Sequence, residues 1–392
     1  MKILAIHNFH RKGSASGDDQ VYKSETELLE KKGHTVVRYT VCNDEFDRAG
    51  VWGKLKLTLG MLWSFKNYNQ IRKLCKEEKP DVVHVHTFFP LLSPSILYAV
   101  KRSKIMLVAT LHDTRFICPC STSLRNMKLC NKCGDGHYFR MIKYGCFKNS
   151  RIMSGIVAFV FKYHRVRKSF YNNIDKYICL NDNQINLLKE IGFDKSKIIK
   201  KYNFVPDLTG YLQDVSLLEL PERYVVFYGR IGEEKGIKIL MEIWNKITEI
   251  PLVVMGGGPL EEEFRKWAAK KEKVYFLGYT DHYRCLSIVR NAEFVVFPSI
   301  WYEGCSMVEI ETMSLGRGLI ATDLGFSVEA IKDGYNGYKI PLNDVDAFIS
   351  KIKELWDNPD LCNEIGENAR QEYTNKYTPD QNYEQLMDIY NS

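Results

Sequence analysis

Short apolar runs alternate with amphipathic segments along almost the whole chain, and the alternation runs through two series. Residues 2–7, 35–40, 81–86, 105–111, 177–180 and 197–202 read as strands, with helices such as 19–32 (apolar Val21, Leu28 and Leu29) and 184–191 between them. The second series has strands at 224–228, 252–255, 274–277, 294–297, 318–321 and 337–340, again separated by amphipathic stretches. Strands joined by helical crossovers run parallel, and a parallel sheet needs helices on both faces, so its strands read as continuous apolar runs. A chain of 392 residues exceeds what one core supports. The expectation is α/β, with two Rossmann-like doubly wound domains at 1–203 and 204–375. Residues 203–221 show no periodicity and read as the linker. A last helix starts near Pro379, which the first turn of a helix tolerates.

Composition excludes several classes. Hydrophobic and charged fractions of 45% and 26% are those of an ordinary globular chain. The opening Met1-Lys2-Ile3-Leu4-Ala5 reads as a strand and not as a secretory leader, so the expected location is cytoplasmic. The most apolar stretch, 152–161, has about half the length of a membrane span and is flanked by cations. The net charge of +7 is unevenly placed. Residues 136–174 contain no Asp or Glu, yet hold Arg140, Lys143, Lys148, Arg151, Lys162, Arg165, Arg167 and Lys168. With apolar and aromatic residues interleaved, that block fits docking on an anionic membrane surface, ahead of a plain surface helix. Nucleic acid is not expected as a partner, because the aromatic signatures of RNA-binding modules are absent. Eleven cysteines without a leader argue against a disulfide framework. Cys118, Cys130, Cys133 and Cys146 have a C-x11-C-x2-C-x12-C spacing in a loop over 118–146. Structural zinc, free thiols and disulfides are the readings open there, and Cys120 offers a competing ligand.

The chemistry gathers at strand ends. Phe297-Pro298 leads through Glu303-Gly304 into a helical pattern carrying Glu311, eight residues on. Helix-start amides take an anion, and carboxylates accept from hydroxyls, so the pair suits a ligand with phosphate and vicinal hydroxyls, a nucleotide sugar. Arg230 and Lys235 flank a strand-to-helix loop at the edge where doubly wound sheets bind ligands. Two cations there neutralise a diphosphate without a metal, and no Asp-x-Asp metal motif stands in the expected place. Gly256-Gly257-Gly258 lets the chain pass close to a nucleotide, but lacks the dinucleotide fingerprint. His84 and His86 read as core or supporting groups.

The run from Glu303 to Glu311 resembles the E-x7-E motif of retaining glycosyltransferases of family 4, which have the GT-B fold. Gly229-Arg230 through Lys235-Gly236, Gly256-Gly257-Gly258-Pro259 and Phe276-Leu277-Gly278 resemble that family's other signatures, in its order. The resemblance extends over nearly the whole chain and is to bacterial polysaccharide and capsule enzymes. It implies two domains facing a cleft, the first binding the acceptor and the second the donor. It also implies that segment 376–392 crosses back to the first. Glu311 would take the ribose hydroxyls, and Glu303 would face the donor sugar. Gly304 and the amides of Cys305, Ser306, Met307 and Val308 would lie along hydroxyls and phosphate. Glu309, off the spacing, reads as structural. Ser16-Gly17 resembles the family's Gly-Gly loop with serine replacing the first glycine, which makes Gly17 the phosphate-binding candidate. His112, in Thr110-Leu111-His112-Asp113, matches the active-site histidine.

The implied function is transfer of a sugar, with retention, from a UDP-sugar (a GDP-sugar second) to a glycan or lipid-linked precursor at the inner membrane face. No cofactor is implied for catalysis. A hydrolysing nucleotide-sugar epimerase of the same fold is the alternative enzyme. A zinc-dependent nucleic-acid or assembly module is the alternative from another class.

Overall fold

Both series of strands pair as parallel sheets in a computed structural model, which describes residues 1–11, 16–126, 128–215 and 218–392. The first sheet has the order β2-β1-β3-β4-β7-β8. Its strands are β1 (Lys2–Phe9), β2 (Thr35–Cys42), β3 (Val82–Val85), β4 (Met106–Leu111), β7 (Lys176–Cys179) and β8 (Ile198–Lys200). A small antiparallel hairpin, β5 (Leu124–Arg125) with β6 (Lys128–Leu129), lies in the Cys-rich loop. The second sheet has the order β11-β10-β9-β12-β13-β14. It comprises β9 (Val225–Tyr228), β10 (Leu252–Met255), β11 (Val274–Gly278), β12 (Phe294–Phe297), β13 (Gly318–Thr322) and β14 (Gly337–Ile340). Central strands β3, β9, β10 and β12 are buried at every position, as strands covered by helices on both faces must be.

The chain divides into two compact units, one formed by Met1–Ser123, Cys130–Tyr202 and Tyr383–Ser392, the other by Leu124–Leu129 and Asn203–Asn382. Sequence-drawn bounds at 203 and 375 are contiguous, whereas these units exchange segments. The hairpin counts with the second unit, where Leu124 packs against the core, and the last ten residues count with the first. Residues 216–217 of the linker lie outside the described residues.

Half of the apolar segment 152–161 is buried in the core. It lies in the helix Arg151–Val166, whose Val157, Ala158, Val160 and Phe161 are buried against the first sheet's core. Ile152, Phe159 and Val166 are its exposed apolar side chains, with Arg151 exposed at its start. Among the described residues no helix is long and apolar enough to cross a membrane.

Candidate functional site

In the second unit the strand order reverses between β9 and β12, with β10 and β11 outward on one side and β13 and β14 on the other. Crossovers of one hand then send the helices after β9 and β12 to opposite faces, and their carboxyl-end loops part into a crevice. Arg230 and Lys235 lie on the loop after β9, Gly256 to Gly258 after β10, and Glu303 to Ser306 after β12. These loops touch through backbone. Gly236 has φ +71° and Gly256 φ +137°, and a Cβ on either would stand 1.8 Å from a carbonyl oxygen, Pro298 O or Gly229 O. Gly256 is thus required by loop contact, whatever the ligand. Gly257 meets only the Glu261 carboxylate, 3.1 Å from an added Cβ.

The structure brings Lys235 and Glu303 together. Lys235 Nζ donates to Glu303 Oε1 at 2.6 Å, and Ser299 Oγ donates to the same oxygen at 3.0 Å. The ammonium also lies 5.4 Å and 5.5 Å from the Phe297 and Trp301 rings. Arg230 is more than half exposed, its Nε 3.5 Å from Glu234 Oε1. The helix Met307–Ser314 starts at Ser306, whose Oγ accepts from Glu309 N–H at 3.4 Å. Met307 and Val308 N–H groups have no carbonyl within the helix to bond. Cys305 is held from behind, its carbonyl accepting from Asn203 Nδ2 at 3.0 Å. Gly304 opens the same turn.

Glu311 is nearly buried on that helix, 3.5 Å from His282 Nε2, a neighbour the sequence did not suggest. Burial pushes its carboxyl up to about 8. Glu309 is wholly buried and is also pushed up to about 8, by burial against the weaker pull of Ser327.

In the first unit the strand order reverses at β1 and β3. The helix Gly17–Lys31 follows β1, capped by Ser16, whose Oγ accepts from Asp19 N–H at 3.5 Å. The serine that departs from the family's glycine is the N-cap, and Gly17 is the first helical residue, exposed. Residues 12–15 of this loop lie outside the described residues. Asp19 links back to the strand through His7 Nε2 at 2.8 Å and His10 Nδ1 at 3.3 Å. Burial opposes ionisation of Asp19, yet those two histidines hold it well below the usual carboxylate range.

His112 directly follows β4, in a recess lined by His86, Phe88, Leu111, Asp113 and Arg115. Its Nε2 is 3.1 Å from His86 Nδ1, with the rings stacked at 5.3 Å. His86 Nε2 lies 3.1 Å from Glu25 Oε1, and the other Glu25 oxygen accepts from Lys201 Nζ at 2.8 Å. Against the cost of burial, Lys201 and His84 hold Glu25 well below its ordinary value. Burial, then the His84 charge, pulls His86 down, and burial lowers His112. With the His86 Nε2 proton on the side of the ionised Glu25, His86 Nδ1 is left to accept from His112 Nε2–H. That leaves His112 Nδ1 as an acceptor. Sequence reading left His86 as a supporting group and missed Glu25 and Lys201. The signal for Glu25 was present: it sits at i+4 from Val21 on the helix's apolar stripe, where a charge needs a partner.

Of the readings open for the cysteines, free thiols are what the structure contains. Among the described residues the group with donor atoms within 4.8 Å of one another is Glu25, His84 and His86, and Lys201 already supplies the positive charge there. Cys118, Cys130, Cys133 and Cys146 do not form such a group. Cys118 Sγ instead lies 3.1 Å from Cys120 Sγ across the turn at Pro119, and Cys133 and Cys146 pack against the core. Three cations of the basic block are also committed within the fold: Arg165 donates to Gly134 O and Tyr138 OH, Lys162 to Gly136 O, and Arg140 to Asp135 Oδ2 at 2.7 Å.

Residues 21–207 match the family described as Glycosyltransferase Family 4, and residues 212–372 that of Glycosyl transferases group 1. The chain is 31% identical over 176 residues to the O-antigen chain mannosyltransferase C of Escherichia coli, covering 43% of this chain and 46% of that protein. It is 23% identical over 360 residues to an Escherichia coli UDP-Gal:alpha-D-GlcNAc-diphosphoundecaprenol alpha-1,3-galactosyltransferase, covering 88% and 84%. The chain spans about half the length of most of the curated relatives it matches. Among solved structures, Anabaena HepE in complex with UDP and glucose superposes with TM-score 0.70 at 15% identity over the full length of both chains. Sucrose-phosphate synthase of Thermosynechococcus elongatus gives 0.72 at 17% identity over 100% and 98%. These likenesses show the fold.

Proposed function

The chain belongs to the GT-B glycosyltransferases, matching family 4 in its first half and group 1 in its second, and from that premise we propose that it moves a sugar from a nucleoside diphosphate to a hydroxyl of a lipid-linked glycan precursor. The observation that carries this reading is the Lys235–Glu303 pair beside Arg230, Glu311 and the start of the helix Met307–Ser314, at the switch point of the second sheet. Arg230, Lys235 and the Met307 and Val308 amides stabilise the departing diphosphate. Glu311 accepts from the ribose hydroxyls, and Glu303 holds the donor sugar. In the first unit His112 Nδ1 and the Gly17 amide are the candidates for contact with a sugar and a phosphate. The UDP in the name of the Escherichia coli galactosyltransferase, and in the HepE complex, supports a uridine donor. The names of polysaccharide relatives support a glycan precursor as acceptor.

Retention without a covalent sugar intermediate is favoured, because Glu303 is held by Lys235 and Ser299 and so is a poor nucleophile. The leaving phosphate oxygen then takes the acceptor proton on the same face. The protein contributes orientation and charge stabilisation, and no metal or other cofactor enters. Exposure of Arg140, Lys143, Lys148, Arg151, Arg167 and Lys168 supports docking of the first unit on an anionic membrane surface, where a lipid-linked acceptor would reside.

Thermal-shift screening against UDP- and GDP-sugars, followed by transfer assays, tests the reading. A uridine donor should raise Tm, and sugar should pass to a diphosphate-linked acceptor. Release of free sugar alone would make the epimerase reading correct. Glu311→Ala should lower transfer about ten- to hundredfold, the loss of one charge-assisted contact of roughly 1.5–3 kcal/mol, with the fold intact. Wild-type rates in that variant would remove Glu311 from the site.

A further inference from the structure

The helix Val51–Gly60 buries none of its residues. Val51, Trp52, Leu55 and Leu59 are 84%, 83%, 51% and 68% exposed. At helical spacing these four fall within an arc of about 100° on one face. Lys54 and Lys56, both exposed, stand on either side of that arc. The opposite face is half-covered at Gly53, Leu57 and Gly60, so the helix lies on the surface with its apolar side outward.

Both ends of this helix are tied to the acid-free block. Just before it, the Phe46 ring lies 6.0 Å from Lys148 Nζ. Just after it, Leu62 O is 2.9 Å from His164 Nε2. The surface therefore continues onto the helix Arg151–Val166, which exposes Ile152, Phe159 and Val166 with Arg151 and Arg167 alongside. Apolar side chains bracketed by lysines are the composition of an interfacial helix. The apolar arc enters the acyl boundary, and the ammonium groups reach the phosphates. A second copy meeting the same face would set these lysines against their own kind, which disfavours self-association as the way the patch is covered.

We propose that the helix Val51–Gly60 is the element that inserts into an anionic bilayer, seating Trp52, Leu55 and Leu59 below the headgroups with Lys54, Lys56 and Lys148 at the phosphates. This deepens the reading of a lipid-linked acceptor and rests on it. It also reassigns the apolar part of membrane binding. Half of 152–161 is buried in the core, and the inserting residues come from a helix outside the basic block.

Full-length protein is mixed with phosphatidylcholine vesicles, alone or with phosphatidylglycerol, as wild type, as Trp52→Ser/Leu55→Ser/Leu59→Ser and as Lys54→Glu/Lys56→Glu. Wild type should partition onto the anionic vesicles. The serine triple should lose at least tenfold of that partition at unchanged Tm, because none of its positions is buried. The charge reversal should abolish the preference for anionic lipid. Brominated acyl chains should quench wild-type fluorescence more than that of Trp52→Phe. Equal partition of wild type and triple overturns the proposal, as does absence of wild-type binding. A lipid-free wild-type dimer that the triple converts to monomer would overturn it too, assigning the face to a protein partner. Transfer to a water-soluble short-chain acceptor is measured on the same proteins. Transfer with no vesicle effect retires the inserting helix alone, whereas vesicle binding with no transfer by any of them retires the transferase reading.

Discussion

Burial leaves Glu311 protonated through most of the neutral range, since its carboxyl is pushed up to about 8. Hydroxyls that donate to it favour the carboxylate, so binding a ribose there expels a proton. Nucleotide affinity should therefore rise between pH 6 and pH 8, by at most about tenfold per pH unit, and level off above. Glu311→Gln should flatten that slope, while Glu309→Gln, which removes the other raised carboxyl nearby, should keep it. Calorimetric titration of UDP in buffers of different ionisation enthalpy reads the proton directly. Zero proton release at pH 7 would mean that Glu311 does not accept from the ligand. Stability carries the opposite sign in the free protein. A carboxyl raised from 4.5 stabilises the fold fully below 4.5 and loses that contribution as pH rises through about 8. The placement of the two acids was legible, because a charge spacing of eight across a strand-to-helix turn puts Glu303 on the loop and Glu311 on the helix that follows. The Lys235–Glu303 contact was not, because it depends on how two loops lie against each other.

That approach of loops is set at the level of elements. The β9 loop touches the β12 loop at Gly236, where any Cβ would stand 1.8 Å from Pro298 O and the backbone is left-handed at φ +71°. Gly236→Ala must push the two loops apart, and Lys235 is the adjacent residue. The variant should lose roughly 2–4 kcal/mol of stability. Its transfer rate should also fall more than that of a surface control such as Lys238→Ala, with Tm and rate measured together. An unchanged Tm would mean that the β9 and β12 loops are not in contact. Strands were legible for a related reason: a continuous apolar run such as Phe294–Phe297 has no other home than a sheet covered on both faces. The cysteines were not, because a spacing fixes order along the chain but not where a turn such as Cys118-Pro119-Cys120 directs its thiols. The helix Val51–Gly60 shows the same limit. Its apolar arc reads alike whether it meets a core or solvent, and only the burial of its neighbours decides.

At the scale of the whole molecule, the first unit is completed by the end of the chain. Tyr383–Ser392 belongs to it, whereas the preceding 180 residues, Asn203–Asn382, belong to the second. Nothing in the pattern of 380–390 separates these outcomes, because the same apolar stripe packs on either core. Leu386, Ile389 and Tyr390 are buried, which at roughly 1.5–3 kcal/mol each is a large share of a domain's stability. Tyr390 OH is 2.7 Å from His84 Nδ1, and Tyr383 OH is 2.9 Å from His34 Nε2. Deleting 383–392 removes these contacts and exposes the network of Glu25, His84 and Lys201 to water. The deletion should therefore lower the Tm of the first unit by many degrees or leave it unfolded. UDP binding should survive, because Arg230, Lys235, Glu303 and Glu311 lie in the second unit. Tyr390→Phe keeps the apolar ring and loses one hydrogen bond, so it should cost only about 1 kcal/mol. Two unfolding transitions in calorimetry, of which UDP shifts the second unit's and the deletion moves the other, are the expected result. A deletion that leaves both transitions in place would show that the first unit folds without its terminal segment, and that contacts such as Tyr390–His84 add nothing to its stability.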